Sequence, residues 1–292
     1  MSNSRFGVLI LTHGRPDKVH TIKSLRKQGY TGDIFLVVDN EDKTREDYIA
    51  KYGEDMVYIF DKKKYADAVD EGNNFDERRT ITHARNASFD IAEKIGLRYF
   101  IQLDDDYTQF VYKSDSNKQY KESKIKDLDN IFKYLLDYYK SIPAATIAMA
   151  QNGDFIGGKQ SRTFQQATLK RKCMNSFICD VERRFQFVGA MNEDVNTYTT
   201  LGSRGKLFLT VTLVSLIQMT TQSQAGGITD MYLRFGTYAK AFTTVMMMPS
   251  CVRVAMMGDK HKRLHHNIKW RYCVPVILHE KYRRVESQNI TH

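Results

Sequence analysis

The chain has 292 residues, 42% of them hydrophobic and 27% charged, a composition that excludes intrinsically disordered and fibrous proteins. Its length is sufficient for one large α/β domain with an ample core. The formal net charge of +10 favours a polyanionic partner: nucleic acid, a nucleotide or an anionic membrane surface. A basic protein without such a partner is the alternative.

Cysteine usage and hydropathy predict a cytoplasmic protein. The cysteines, Cys173, Cys179, Cys251 and Cys273, include no CxxC pair, which favours reduced thiols over disulfides or a zinc site. The N-terminal residues show no signal-peptide pattern. The longest apolar run, 207–219, is too short and too polar to cross a bilayer, so we expect no membrane partner.

Strands and helices are predicted to alternate in the first half of the chain. Continuous apolar runs indicate buried strands at 6–12, 34–38, 56–60 and 99–103, with helices from Pro16 to Gly29, after Asn40 and over 84–95. This alternation predicts a Rossmann-like α/β fold: a mostly parallel sheet with helices on both faces.

The second half has a different pattern. A helix is predicted over 125–139 and a strand over 146–150, followed by β-like runs at 243–248 and 251–257. We expect a single domain over residues 1–292, with a parallel half at 6–112 and a mixed half at 113–292.

Polar segments follow three of the predicted strands: Thr12–Arg15, Asp39–Asn40 and Asp104–Asp106. Ligands of parallel sheets bind beyond the carboxyl ends of the strands, so these segments should converge on one ligand-binding edge.

The three adjacent aspartates at 104–106 suggest a metal site. Like charges this close repel one another, and a divalent cation would offset the repulsion. In an extended chain Asp104 and Asp106 would point to one side and Asp105 away from it. Carboxylate ligands suit Mg²⁺ or Mn²⁺. A solvated acidic turn and a helix N-cap are the alternatives.

The motifs at these strand ends resemble those of GT-A-type glycosyltransferases. Ile101–Asp106 resembles their DxD element, Leu9–Pro16 their first strand and nucleotide loop, and Val37–Asn40 the second strand. Ala84–Asn86 resembles an Ala-Arg-Asn segment before the DxD strand, and Asn192–Asp194 a Glu-Asp segment that carries the catalytic base. The order of the motifs is similar to that of the TET/JBP-associated glycosyltransferases, bacteriophage proteins implicated in glycosylating hydroxymethylated pyrimidines in DNA.

The resemblance implies a donor side and a metal site. The residues that would contact the nucleotide sugar are Thr12, Arg15, Asp39, Arg85, Asp104 and Asp105. Of these, Thr12, Arg15 and Asp39 would line the nucleoside pocket, and Arg85 would face the diphosphate. Asp106 and Asp104 would bind Mn²⁺ or Mg²⁺. His265 is favoured over its neighbours His261 and His266 as a further metal ligand.

The resemblance also implies a catalytic base at the second acidic motif. Asp194 would take the proton of the acceptor hydroxyl, and Glu193 is the rival for this role. A helix start with Asn192 as N-cap and acids in the first turn is the alternative, and it is compatible with catalysis.

Basic segments in the second half suggest DNA as the acceptor. Residues 253–284 contain nine Lys/Arg and two acids, with Trp270, Tyr272 and Tyr282 interleaved. Residues 159–184 contain seven Lys/Arg and two acids. Such segments can follow a phosphate backbone while aromatic rings stack on bases; a solvated basic face is the alternative.

The resulting hypothesis is a metal-dependent glycosyltransferase that moves a sugar from a nucleotide sugar, expected to be a UDP-sugar, to a hydroxymethylated pyrimidine in double-stranded DNA. Residues 6–112 would bind the donor and 113–292 the acceptor, in the host cytoplasm if the gene is carried by a phage. The alternatives are transfer to a surface glycan or protein, a non-catalytic nucleic-acid-binding module on this fold, and a nucleotidyltransferase.

Overall fold

The computed structural model describes residues 5–70, 78–165, 169–219, 229–258 and 262–275, and only the backbone of 229–237. The strands are β1 Phe6–Leu11, β2 Asp33–Asp39, β3 Val57–Phe60, β4 Tyr99–Asp104, β5 Tyr107–Ser114, β6 Tyr120–Lys124, β7 Ala144–Gln151, β8 Phe177–Asp180, β9 Leu207–Gln218, β10 Val252–Met257 and β11 Arg263–Ile268. The α-helices are α1 His20–Lys27, α2 Arg45–Tyr52, α3 Lys62–Ala66, α4 Thr82–Lys94, α5 Leu128–Ser141, α6 Arg162–Gln165, α7 Glu193–Gly202 and α8 Thr229–Met247. Short 3₁₀ helices cover Pro16–Lys18, Asn152–Phe155, Gly158–Gln160 and Trp270–Tyr272.

In the described residues, β1 to β9 form one sheet with the order β3-β2-β1-β4-β8-β7-β9-β5-β6. The first four strands are parallel throughout. Antiparallel pairs begin with β8, which joins β4 to β7. The prediction of an α/β fold with a parallel half followed by a mixed half is confirmed.

The central strands are buried on both faces, as their continuous apolar sequences predicted. In β1, Val8 and Ile10 pack into one hydrophobic cluster, together with Leu25 of α1 and Phe132 of α5. Leu9 belongs to a second cluster on the opposite face, which α4 and α7 help to form. Helices therefore cover both faces of the sheet, and its functional groups must lie at the strand ends.

The second half contains one wrong prediction. Residues 243–248 were expected to be β-like, but they form the end of α8 and the residue that follows it. Ala241 and Thr244 are buried while Phe242 and Met246 are exposed, which is the periodicity of a helix with one packed side. Burial of that side outweighs the β propensity of the Thr-Thr-Val sequence.

The run 207–219 forms strand β9, apart from its last residue. No helix in the described part of the chain has the length and hydrophobicity required to cross a membrane. The run 251–257 is confirmed as β10, which forms an antiparallel hairpin with β11.

Candidate active site

The carboxyl ends of β1, β2 and β4 meet at one edge of the sheet, as predicted. Leu11 of β1 is in register with Val37 of β2 on one side and with Asp104 of β4 on the other. The segments that follow the three strands are therefore neighbours, and their polar side chains form a continuous network.

Asp39 lies at the centre of the part of this network that is formed by the ends of β1 and β2. Its carboxylate accepts a hydrogen bond from His13 Nδ1 at 2.6 Å and another from the buried Lys62 Nζ at 3.3 Å. Burial alone would raise the pKa of Asp39, but the His13 hydrogen bond and the Lys62 charge lower it below its usual value. The same hydrogen bond raises the pKa of His13. Asp39 is thus held as a carboxylate.

A cavity of about 350 Å³ opens beside His13 and Lys62, the two residues that bond to Asp39. It is lined by His13, Gly14, Glu41, Asp42, Lys43, Thr44, Lys62, Arg78 and Arg79. Asp42 closes one side, because its carboxylate accepts hydrogen bonds from the backbone N–H groups of Gly14 and Thr44. Gly14 has a φ of +68°, a left-handed conformation that favours glycine and lets the loop turn towards Asp42.

Thr12, Arg15 and Asp105 hold this loop against the aspartate segment. The Thr12 hydroxyl donates to Asp105 at 2.7 Å, and Arg15 Nη2 donates to the other Asp105 oxygen at 2.8 Å. Tyr48 adds a third contact, since its hydroxyl accepts the Arg15 backbone N–H at 2.8 Å. Thr12, Arg15, Asp39 and Asp105 are not among the residues that line the cavity, so their direct contact with the donor stays a prediction.

Asp104 and Asp106 flank Asp105, the residue that anchors the loop. Burial, followed by the charges of Asp104 and Asp105, raises the pKa of Asp106 to about 7. In the described part of the chain, no side chain forms an ion pair or hydrogen bond with the Asp106 carboxylate. A carboxylate beside two others, without its own cation, is suited to bind an added one.

The donor set fits a Mg²⁺ or Mn²⁺ ion that is shared with a substrate. Among the described residues, no three Asp, Glu, His or Cys side chains are grouped closely enough to enclose a metal by themselves. Magnesium in phosphate-transfer sites is commonly held by one or two carboxylates, with water and substrate phosphates completing its shell. Asp104 and Asp106 can supply this smaller set.

Arg85 of α4 connects the aspartate segment to the second acidic motif. Its Nη2 donates to Asp104 at 3.1 Å and its Nε to Glu193 at 2.9 Å. The guanidinium is fully buried between the rings of Phe177 and Phe187. Its remaining nitrogen, Nη1, has no hydrogen-bond partner among the described residues. Arg85 therefore binds two carboxylates, and its contact with a diphosphate stays a prediction.

Asp194 has the properties of a general base. It is buried in the first turn of α7, where burial and the charge of Glu193 raise its pKa to about 7. The backbone N–H of Val195 donates to one of its oxygens at 2.7 Å. Glu193, by contrast, is tied to Arg85. The geometry favours Asp194 over Glu193 as the residue free to move a proton.

Asn192 does not cap α7 with its side chain, contrary to the alternative interpretation of this motif. It has a φ of +55°, and its amide donates to the Lys240 carbonyl and the Thr244 hydroxyl of α8. The acids in the first turn are as expected. The Asn-Glu-Asp segment therefore packs against α8 on one side and holds Arg85 on the other.

His265 lies on β11 and belongs to no ligand group with Asp104 and Asp106 among the described residues. Burial lowers its pKa most, followed by the positive charges of Arg263, Lys240 and Lys172. Such surroundings repel a divalent cation, and the geometry lends no support to His265 as a metal ligand. His261 and Tyr282 lie outside the described residues.

Comparison with known protein families supports the interpretation of these motifs. A family model described as TET-associated glycosyltransferase matches residues 6–227. The chain belongs to the TET-associated glycosyltransferase family. It is therefore a glycosyltransferase, and the resemblance found in the sequence is confirmed. No curated protein matches this TET-associated glycosyltransferase significantly.

Several solved structures are similar to the TET-associated glycosyltransferase described here. Glucosyl-3-phosphoglycerate synthase from Mycobacterium tuberculosis, in complex with Mg²⁺ and uridine diphosphate, is 9% identical with a TM-score of 0.47, covering 91% of this chain and 88% of its own. TarS from S. aureus is 12% identical with a TM-score of 0.39, covering 72% and 60%. A cytidylyltransferase from Leptospira borgpetersenii is 11% identical with a TM-score of 0.37, covering 85% and 93%.

Sequence reasoning missed several side chains of this site. His13 and Lys62 bond to Asp39, Asp42 binds the backbone of Gly14, and Tyr48 of α2 holds the loop at Arg15. His13 lies within the segment Leu9–Pro16 that resembles a nucleotide loop, but Lys62 and Tyr48 are distant from this segment along the chain. Their contribution depends on packing that sequence periodicity does not encode.

Proposed function

We propose that this glycosyltransferase transfers a sugar from a nucleotide sugar, expected to be a UDP-sugar, to the hydroxymethyl group of a modified pyrimidine in double-stranded DNA, with Mn²⁺ or Mg²⁺. One observation carries the proposal: Arg85 joins Asp104 to Glu193 through a single guanidinium. One of the two carboxylates suited to a metal and the residue that directly precedes the proposed base Asp194 therefore contact the same buried group. A metal and a base at one site are what sugar transfer from a diphosphate needs.

The donor would occupy the edge formed by β1, β2 and β4. Its nucleoside would enter the cavity that is lined by His13, Gly14 and Lys62. Its diphosphate extends towards Asp104 and Asp106. A divalent ion bound there would stabilise the negative charge of the departing nucleoside diphosphate.

The acceptor would approach from the side of α7. Asp194 takes the proton of the acceptor hydroxyl, the hydroxyl oxygen forms a bond to the anomeric carbon, and the bond from that carbon to the diphosphate oxygen breaks. Arg85 keeps Asp104 and Glu193 in place during these steps. A pKa of about 7 suits the base, because Asp194 is then ionised in part yet basic enough to accept a proton at neutral pH.

Two properties support DNA as the acceptor. The family is described as TET-associated, and the sequence resemblance implies modified DNA as the substrate. The net charge of +10 favours a polyanion. A surface glycan or a protein acceptor would not require such a charge.

The proposed donor and metal can be tested without an acceptor. Nucleoside diphosphate released from a panel of UDP-, GDP-, CDP- and ADP-sugars would be measured with Mn²⁺ and with chelator, for the parent and for Asp106→Asn. We expect slow hydrolysis of a UDP-sugar that is lost with chelator and in the variant. Hydrolysis unaffected by both changes would contradict the metal site, and no hydrolysis of any donor would favour a non-catalytic binding module.

The acceptor class can be tested separately by DNA binding. Affinity for a duplex should fall steeply between 50 and 200 mM salt, as it does for proteins that neutralise several phosphates. Weak binding with a flat salt dependence would discard DNA and leave a glycan or protein as the acceptor.

A further inference from the structure

The hairpin of β10 and β11 forms a two-stranded sheet that is separate from the main sheet. Its antiparallel register runs from the pair Val252 and Ile268 to the pair Met257 and Arg263. Successive side chains of a strand point to opposite faces, so this register divides the hairpin into two rows. We name them the outer row, which contains Arg253, Met257, Arg263 and Asn267, and the inner row, which contains Val252, His266 and Ile268.

The inner row packs against the helices beside the proposed base. Val252 is buried and belongs to a cluster against which Val245 of α8 packs. His266 Nδ1 lies 3.5 Å from the side-chain amide of Asn192, the residue before the start of α7. Asp194 follows Asn192 by two residues. The hairpin is therefore seated next to the start of α7, where the proposed base lies.

The residues that follow β11 fix the hairpin to the rest of α7. Trp270, an aromatic residue expected from the sequence to stack on a base, is instead stacked on Tyr198 of α7, with ring centroids 5.6 Å apart. At the end of α7, Gly202 approaches the Cys273 backbone so closely that a Cβ atom there would lie 2.0 Å from the Cys273 carbonyl oxygen. The hairpin thus has a fixed position relative to this helix.

The outer row is exposed and basic. The side chains of Arg253, Met257, Arg263 and Asn267 are all exposed. Within the described ranges of the chain, neither arginine of this row forms an ion pair with a carboxylate. The sequence from 252 to 272 contains six Lys/Arg residues and Asp259 as its single acid. A positive face of this kind favours an anionic partner.

Shape and side-chain chemistry both fit the major groove of duplex DNA. This groove admits a two-stranded β-ribbon, and several DNA-binding proteins place one there. Arg253 and Asn267 are directly opposite each other in the register, so their side chains are neighbours on the outer row. Arginine pairs with O6 and N7 of guanine, and asparagine with N6 and N7 of adenine, all at the major-groove edge of the base.

We infer that the β10–β11 hairpin enters the major groove of the acceptor duplex, and that Arg253 and Asn267 select the base pairs beside the modified nucleotide. The inference rests on the proposed function and names the element that holds the DNA. A hydroxymethyl group on C5 of a pyrimidine projects into the same groove, because the C5-methyl group of thymine lies there. A hairpin fixed to α7 would therefore present this hydroxyl to the start of the helix that carries Asp194.

The first test measures base preference. For the parent and Arg253→Gln, kcat/KM would be measured with duplexes that carry one 5-hydroxymethylcytosine and differ in the flanking base pairs. We expect the parent to favour guanine at one flanking position by about tenfold, and the variant to lose this preference. Lys121→Gln removes one charge from the exposed edge strand β6 and should keep the preference. Both side chains are exposed, so equal melting temperatures are expected for all three proteins.

The second test changes the DNA at the favoured position. 7-Deazaguanine lacks N7, an acceptor in the major groove, whereas inosine lacks the amino group that guanine presents in the minor groove. We expect 7-deazaguanine to lower the kcat/KM of the parent about tenfold, and inosine to leave it nearly unchanged. The effects of 7-deazaguanine and of Arg253→Gln should be non-additive, because both remove the same contact.

Three results would overturn the inference: no base preference in the parent, additive effects, or a loss with inosine rather than with 7-deazaguanine. The same duplexes can be compared by binding affinity, which requires no sugar transfer. A parent that binds with the expected preference but transfers no sugar would support the hairpin as the groove-binding element and contradict the proposed function alone.

Discussion

Asp194 and Asp106 are buried carboxylates whose environment differs strongly from that of a carboxylate on the surface. Both have a pKa raised to about 7, and burial is the main cause for each. Nearby carboxylates add to the effect: Glu193 for Asp194, and Asp104 with Asp105 for Asp106. Perturbed carboxylates of this kind cluster at functional sites, where they act as bases or bind cations.

The raised pKa of Asp194 predicts how the reaction depends on pH. The base must be deprotonated, so kcat/KM at saturating metal should rise with pH up to about 7 and then level off. Asp194→Asn should lower the rate by roughly 10²- to 10⁴-fold and remove this rise. Glu193→Gln is the comparison variant, and its kcat/KM should still rise with pH. If Glu193→Gln removes the rise and Asp194→Asn keeps it, the two roles are reversed.

Asp106 should lower the stability of the metal-free protein. Its ionised form is buried near two other carboxylates, and the charge of Arg15 offsets their effect only in part. Asp106→Asn should therefore increase the free energy of unfolding in chelator at pH 8, by about 1–2 kcal/mol, while abolishing activity. Urea denaturation of the two proteins with and without Mn²⁺ would measure this. Equal stabilities in chelator, together with no stabilisation of the parent by Mn²⁺, would contradict the metal site.

At the scale of elements, Arg85 joins α4 to both β4 and α7. Removal of one partner from a buried ion pair leaves the other charges uncompensated, which commonly costs about 3–5 kcal/mol. Arg85→Met should lower the free energy of unfolding by an amount of this size and should reduce the rate of sugar transfer. Arg85→Lys retains the charge but lacks the planar fork, so it should fold better and still transfer slowly. Wild-type rates in Arg85→Lys would show that a positive charge alone is sufficient.

The elements also show what the sequence could predict. Buried strands were correctly placed because apolar runs such as those of β1 and β2 have no other stable position than inside a sheet. The convergence of Asp39 and Asp104 followed from the parallel order of these strands. The end of α8 was missed because its β-branched residues and methionines do not reveal which side is packed. The contact between Arg85 and Glu193 was not predictable, since 108 residues separate them.

For the molecule as a whole, the parallel half supplies the cavity beside His13 and Lys62 and the aspartates, and later elements supply Asp194, the proposed base. The two halves meet at Arg85 and the start of α7.

The most direct measurement of the central claim is transfer of a radiolabelled sugar from UDP-sugars to duplex DNA containing 5-hydroxymethylcytosine, with Mn²⁺ and with chelator. Our account predicts label on the modified duplex, none on the unmodified duplex, and loss of label with chelator. Metal-dependent release of UDP without label on any DNA would contradict the DNA acceptor while leaving the glycosyltransferase intact.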